Sequence, residues 1–308
     1  MLSDENISRI DLLFDVARLN DSPLSLGDLS LLLSTDATLA ELEEAFARYP
    51  ELKKYELRSG YVLEKGSPRS IPEELRKEKQ ATRNTALAAA LARRLWQRSC
   101  SVIAVSGSTS YGSVKQSDDL DLFCLTGVDE AWIFFTKALL LLRFTRLVSA
   151  GYSAANVSCV MDFRFAGNMF EREQDALFAR DGLNAIVLEG RSEYDALLRK
   201  AKWMERFFPG LYASRVKSVR SAVVRSPPSS LTRLANLFFF VTVGRYVKVR
   251  SMLENRRLAR SGDTGRAFVT MLGTDHCIFE SQRYRRMRQI YRSLQSSGPV
   301  PAGSDSPA

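Results

Sequence analysis

Residues 101–125 limit what this chain can fold into more than any other part of the sequence. Residues 101–106 form a short apolar run with β-branched side chains and predict a buried strand, and residues 120–125 predict another. A turn rich in glycine and serine joins them. Alternate residues of a strand share a face, so Asp119 and Asp121 should point the same way, while Leu120, Leu122 and Cys124 enter the core.

This predicted edge has the chemistry of a phosphate and metal site. Two carboxylates about 7 Å apart along one strand suit hard divalent cations, which prefer oxygen ligands. Gly107 and Ser108 are small, so their backbone N–H groups can approach a triphosphate closely. A cation must also offset the triphosphate charge, and Lys115 follows within the same turn. Arg180 and Lys202 are further candidates, which the sequence does not rank.

The order of these residues is specific. Gly107-Ser108 follows an apolar residue, ten residues intervene, and Asp119-Leu120-Asp121-Leu122 comes next. This pattern resembles the signature of the DNA polymerase beta-like nucleotidyltransferase superfamily, as do Tyr111-Gly112 and Ser117-Asp118 nearby. The resemblance covers roughly residues 82–200.

The resemblance implies a third carboxylate on a later strand. A strand is expected over residues 157–165, and it carries Asp162. Val157, Cys159, Met161 and Phe163 should face the core, leaving Asp162 on the other face. Glu171 and Glu189 are weaker substitutes.

An activity follows from the same resemblance. The enzyme would transfer a nucleoside monophosphate from an NTP such as ATP to a hydroxyl group and release pyrophosphate. Two Mg²⁺ or Mn²⁺ ions would be held by Asp119 and Asp121, one of them shared with Asp162. Gly107, Ser108 and Lys115 would contact the nucleotide.

The expected fold class is α+β, with a small mixed sheet as the nucleotidyltransferase core. Residues 1–66 predict three helices and a hairpin around Arg58-Ser59-Gly60, a pattern similar to a winged helix. Residues 67–200 would form the nucleotidyltransferase domain with a leading helix. Residues 201–295 predict a basic helical domain, with one doubtful strand signal at 238–243, and 296–308 a disordered tail.

Charge is distributed unevenly along the chain. The net charge is +9, yet residues 201–300 carry 19 Lys and Arg against 5 Asp and Glu. A block this basic favours a polyanion, here tRNA or another RNA as the acceptor. Residues 1–66 carry a net charge of −6, and the predicted third helix holds Glu41, Glu43 and Glu44. An acidic helix repels phosphate, which favours a protein partner for this unit.

Other classes of function stay open or are excluded. The acceptor could instead be a protein or small molecule, as in toxin-like or resistance enzymes, or the chain could be a non-catalytic nucleic-acid-binding regulator. The N-terminus is acidic and the apolar runs are short, which argues against a signal peptide and a membrane span. Four cysteines without a CxxC pair and a single histidine exclude a zinc finger and favour the reducing cytoplasm.

Overall fold

The computed structural model describes residues 2–22, 24–35, 37–67, 70–96, 100–114, 119–148, 155–216 and 228–296. Within these ranges the chain is a mixture of helices and strands. The helices are α1 (Asp4–Asn20), α2 (Leu26–Leu32), α3 (Leu39–Arg48), α4 (Ile71–Leu95), α5 (Ala131–Val148), α6 (Phe163–Arg172), α7 (Ala176–Asn184), α8 (Arg191–Lys200), α9 (Met204–Phe207), α10 (Pro209–Arg215), α11 (Ser230–Arg260) and α12 (Gln282–Ser296). The strands are β1 (Tyr55–Arg58), β2 (Tyr61–Glu64), β3 (Cys100–Val105), β4 (Leu120–Thr126), β5 (Ala155–Asp162), β6 (Ile186–Glu189), β7 (Phe268–Gly273) and β8 (His276–Ser281).

The N-terminal unit has the predicted element order of three helices and a hairpin. Thr38 caps α3 and Glu41 completes a capping box with it, because each side chain accepts a hydrogen bond from the other's backbone N–H. Glu43 and Glu44 are exposed on the same helix, as expected for an acidic surface. The winged-helix arrangement itself stays a prediction.

A six-stranded sheet forms the centre of the fold, in the order β6-β3-β4-β5-β8-β7. Only β4 and β5 run parallel, and the long helix α5 connects them. We call the two cores on the faces of this sheet the first and the second core. The first contains Leu125 and Met161 and extends to the helices that follow β5 and to the N-terminal unit. The second contains Leu122 and Cys124 and includes residues of α4, α5 and α11.

Two strands were absent from the sequence prediction. Residues 201–295 are not wholly helical, because β7 and β8 form a hairpin and β8 pairs with β5. The doubtful strand at 238–243 is wrong, since these residues lie inside α11. The amide of Asn236 holds this helix in place: it accepts from the Trp132 backbone N–H at 2.8 Å and donates to the Thr274 carbonyl at 2.8 Å.

The predicted strand at 157–165 ends earlier than expected. Asp162 closes β5 and caps α6, since its carboxylate accepts from the backbone N–H of Phe165 at 2.8 Å. Residues 163–165 therefore begin a helix. The α+β class is confirmed, whereas the nucleotidyltransferase arrangement of the sheet stays a prediction. Within the described part of the chain no helix is both long and apolar enough to cross a bilayer.

Candidate active site at Gly107 and Asp121

The turn after β3 is compact and bonded to itself. Gly107 has a φ of +66°, in the left-handed region that glycine adopts without steric cost. The Gly107 carbonyl accepts from both the backbone N–H and the hydroxyl of Ser110, at 3.1 and 2.9 Å. The Ser108 carbonyl accepts from the backbone N–H of Ser113 at 2.9 Å. These bonds fix the turn in one conformation beside the start of β4.

The carboxylate of Asp121 lies directly against this turn. A Cβ atom at Gly107 would lie 3.2 Å from Oδ2 of Asp121, which is a tight contact. The backbone N–H of Ser106 also donates to the Asp121 carbonyl at 3.2 Å. The structure thus places the glycine turn next to the second acid of the Asp-x-Asp pair.

Asp119 and Asp121 bracket Leu120 at the start of β4. Leu120 is buried, whereas Asp119 is exposed and Asp121 is half-buried. The expected alternation is therefore present, with Leu120, Leu122 and Cys124 all in the second core. Both acids lie at the end of the strand where the Gly107 turn packs.

The residue beside Asp121 on the next strand is an asparagine. The parallel register of β4 and β5 places Asn156 opposite Asp121, and Asn156 is exposed. Paired residues of neighbouring strands point to the same face of a sheet. A side-chain amide oxygen is, like a carboxylate oxygen, a ligand suited to hard divalent cations. Asn156 was not among the residues predicted from the sequence, because only acidic side chains were expected as metal ligands.

Asp162 does not join this group. The register pairs it with Thr126, five positions along β4 from Asp121, which is about 17 Å in a strand. It also lies on the other face. Thr126 shares a face of β4 with Leu122 and Cys124, which pack in the second core. Asp121 shares the opposite face with Leu125, which packs in the first core.

An irregularity in β5 explains the difference. The register shifts between Leu122 and Phe123, so Ser158 is an extra residue on β5. This bulge reverses the alternation of every later residue of the strand. Val157 and Val160 consequently face the second core, while Cys159 and Met161 pack on the first. Asp162 therefore lies opposite Cys159 and Met161, as predicted, but it shares a face with Val157 and not with Asp121.

The carboxylate of Asp162 has a structural task instead. It is 1% exposed and accepts from the backbone N–H groups of Phe165 and Asp129, at 2.8 and 3.1 Å. Burial raises its pKa above the ordinary value, and these two hydrogen bonds oppose that shift. Asp129 in turn forms an ion pair with Arg233 of α11 at 3.3 Å. Asp162 thus joins β5, α6 and the loop before α5.

The predicted cations differ in their surroundings. Lys115 lies outside the described residues. Lys202 is exposed between α8 and α9. Arg180 is buried on α7, where it donates to the Tyr291 hydroxyl and its guanidinium lies 4.8 Å from the centre of the Tyr111 ring. Arg180 therefore contacts a residue of the Gly107 turn.

Tyr111 also connects this turn to a buried acid. Its hydroxyl donates to the carboxylate of Asp181 on α7. Burial raises the pKa of Asp181 to about 6, although the Tyr111 hydrogen bond and Arg180 both lower it. Glu171 and Glu189 lie elsewhere, Glu171 exposed on α6 and Glu189 paired with Ile103.

A groove of about 590 Å³ runs along the turn. It lies between α4 and the residues that follow Gly107, and its walls include Thr85, Thr109, Gly112 and Ile186. Thr109 is 2% exposed, and its hydroxyl has no hydrogen-bond partner among the described residues.

Among the described residues, no group of three or more His, Cys, Asp and Glu side chains is placed to hold a metal ion. No protein-family model matches the sequence, and neither the curated proteins nor the solved structures gave a match.

Proposed function

We propose that this protein is a metal-dependent nucleotidyltransferase whose reaction takes place at Asp119, Asp121 and the Gly107 turn. One observation carries the proposal, the contact between a left-handed glycine turn and the carboxylate of the Asp-x-Asp strand. A structural turn needs glycine for its φ, but it has no need of a carboxylate 3.2 Å from the Cβ position. The pair instead suits a polyphosphate whose charge is shared between backbone N–H groups and a cation.

The donor set fits Mg²⁺ or Mn²⁺. Asp119 and Asp121 would hold the ion, with the amide oxygen of Asn156 on the neighbouring strand. When bound, the ion neutralises the triphosphate and polarises the phosphoryl group that is transferred. The backbone of Gly107 and Ser108 would orient the phosphates, and Arg180 would position Tyr111 through their stacking contact.

The proposed acceptor is RNA, and the proposed RNA-binding surface of the protein is the C-terminal half of α11. The basic block of residues 201–300 includes α12, but several arginines of this helix are occupied within the fold. Arg283 donates to the Leu19 carbonyl at 2.8 Å, and Arg288 lies near Glu173, Asp175 and Glu280. The exposed basic side chains in the C-terminal half of α11 are Arg245, Lys248, Arg250, Arg256, Arg257 and Arg260.

Label transfer tests the enzyme. Purified protein is incubated with Mg²⁺ or Mn²⁺, each α-labelled NTP in turn, and total RNA or protein extract. Label should appear on RNA, and Asp119→Asn and Asp121→Asn should each abolish it. Asp162→Asn is the matched control: it removes a carboxylate but keeps a cap, and transfer should persist. If no acceptor is labelled, or if the three variants are equally inactive while folded, the proposed site is wrong.

The salt dependence of RNA binding tests the acceptor surface. Each phosphate contact contributes about 0.7–0.9 to the slope of log K against log salt concentration. Arg256→Gln/Arg257→Gln should lower the slope by roughly 1.5, whereas Arg48→Gln/Arg58→Gln, in the acidic unit, should leave it unchanged. Label on protein with no RNA binding would favour the protein acceptor instead.

One observation favours a second candidate, a module that binds NTP without transferring it. The position opposite Asp121 holds Asn156, which brings no negative charge to a second metal ion. Asn156→Asp would add that charge on the same face. If the native chain binds NTP but labels nothing, and Asn156→Asp gains transfer, the binding module is the better description.

A further inference from the structure

The N-terminal half of α11 exposes an apolar surface. Residues 230–244 contain a single charged side chain, Arg233, which is paired with Asp129 of the same chain. Asn236 and Gly244 are buried and Phe240 packs against Trp132, so one line of the helix faces the fold. The opposite face bears Leu231, Leu234 and Phe238, which are 75%, 64% and 61% exposed.

These exposed residues have the spacing of a coiled coil. Leu231, Leu234, Phe238 and Val241 follow each other at intervals of three, four and three residues, and all are exposed. This is the a/d spacing by which two helices interlock side chains along a common seam. We call these four residues the α11 stripe. The next position of the seam is Arg245, so the apolar seam ends within one turn.

We propose that the α11 stripe is the interface of a homodimer, with α11 of a second copy packed against it in the antiparallel direction. Antiparallel pairing places Leu231 opposite Val241 of the second copy and Leu234 opposite its Phe238. Four layers then form from one repeated sequence, and each is wholly apolar. The contact is symmetric and closes on itself, as expected of a two-fold dimer.

Charge determines the direction of pairing. In a parallel pair, Arg245 and Lys248 would lie beside the same residues of the second copy, and like charges at such positions repel. In the antiparallel pair centred at residue 236, Arg245 lies beyond the overlap. The two basic halves of α11 then extend from opposite ends and stay available to other ligands.

The exposed apolar area approaches the apolar area that a dimer interface buries on each partner. A buried CH₂ contributes about 0.8 kcal/mol at about 25 cal/mol per Å², which corresponds to roughly 32 Å² per CH₂. Scaled by the exposed fractions, the four residues of the α11 stripe and Leu237 together expose on the order of 400 Å² of apolar side chain. A standard interface buries about 800 Å² per partner, of which roughly 65% is apolar in homodimers, or about 500 Å². The stripe and Leu237 together would supply most of that apolar area.

Sedimentation velocity tests the dimer with the full chain at about 1–100 µM protein, which is about one decade either side of a Kd of roughly 10 µM. The native chain should sediment as a dimer at the upper end, and Leu234→Glu and Phe238→Glu should each give a monomer. Both side chains are exposed, so the fold should tolerate the changes; circular dichroism checks this. Leu253→Glu is the control, since Leu253 is 55% exposed on the same helix but outside the overlap, and it should remain dimeric.

A second arm tests the direction of pairing. Oxidation of an equimolar mixture of Leu234→Cys and Phe238→Cys chains should give mainly the mixed disulfide, which requires Cα atoms within about 7 Å. Predominance of the two same-residue disulfides would overturn the antiparallel arrangement. A native chain that stays monomeric at the highest concentration overturns the dimer. A monomer that instead binds anionic phospholipid vesicles through the stripe assigns this surface to a membrane.

Discussion

The contact between Gly107 and Asp121 can be tested with a single methyl group. Gly107→Ala adds a Cβ in a left-handed conformation, which costs an L residue about 1–2 kcal/mol. The same Cβ would lie 3.2 Å from Oδ2 of Asp121, so the carboxylate must move by a few tenths of an ångström. A displacement of 1 Å in a catalytic group can reduce the rate about 100-fold, so this shift should reduce transfer roughly fourfold or more.

Gly262→Ala is a matched control for the backbone cost. Gly262 has a φ of +75°, and a Cβ there would meet no atom within 4 Å. Both variants should lower the free energy of unfolding by about 1–2 kcal/mol, or the Tm by roughly 1.5–3 °C in a chain of this length.

Thermal unfolding measures the backbone cost of each substitution. Mg²⁺-dependent label transfer measures the effect of displacing the Asp121 carboxylate. Only Gly107→Ala should lose transfer activity and require more Mg²⁺. If the two variants lose equal stability and both transfer label at the native rate, the carboxylate contact has no part in the reaction.

Three further predictions concern stability. Gly190→Ala should lower the free energy of unfolding by more than about 3 kcal/mol in chemical denaturation, because its φ is +75° and a Cβ would lie 1.9 Å from the Ser101 carbonyl oxygen. Asp162→Ala should cost about 2 kcal/mol in the same assay, since two backbone donors lose their acceptor, while transfer per folded molecule is unchanged. Asp181→Asn should change the pH dependence of the free energy of unfolding. The Asp181 pKa is about 6 in the folded chain against about 3.9 in the unfolded chain, so native stability falls by up to about 3 kcal/mol as pH rises from about 4 to 6. The variant lacks this loss, so its stability relative to the native chain should increase across that window. A constant difference from pH 4 to 7 would show that Asp181 titrates normally.

Much of the fold follows from local sequence patterns. Capping at Thr38, the hairpin at Ser59 and Gly60, and the alternation in β4 depend on residues close together in the chain, and the structure has each of them. The strand β8 depends on a distant partner, because its pairing with β5 joins residues more than a hundred positions apart. Its two-residue turn, Thr274-Asp275, is not one of the dipeptides by which a hairpin is recognised in a sequence.

The candidate site likewise has one part that follows from local sequence and one part that depends on a distant strand. Gly107 and Asp121 could be paired from sequence because one turn connects their strands. The residue facing Asp121 from β5 could not be assigned, since it depends on where a separate strand aligns and where it bulges. A shift of one residue turns every later side chain to the other face, and the extra residue Ser158 does this between Asn156 and Asp162.

The bulge also explains why an acid near the right position was misleading. Asp162 ends its strand at a helix N-terminus, where a buried carboxylate is stabilised by backbone N–H groups and by the partial positive charge of the helix. Such an acid needs no metal ion, whereas Asp119 and Asp121 precede no helix. Asn156 shares the face of Asp121 and carries no charge, so any second cation there would depend on the phosphates of the nucleotide for its compensation. Metal binding in this protein should accordingly be weak in the absence of NTP and strengthen together with it.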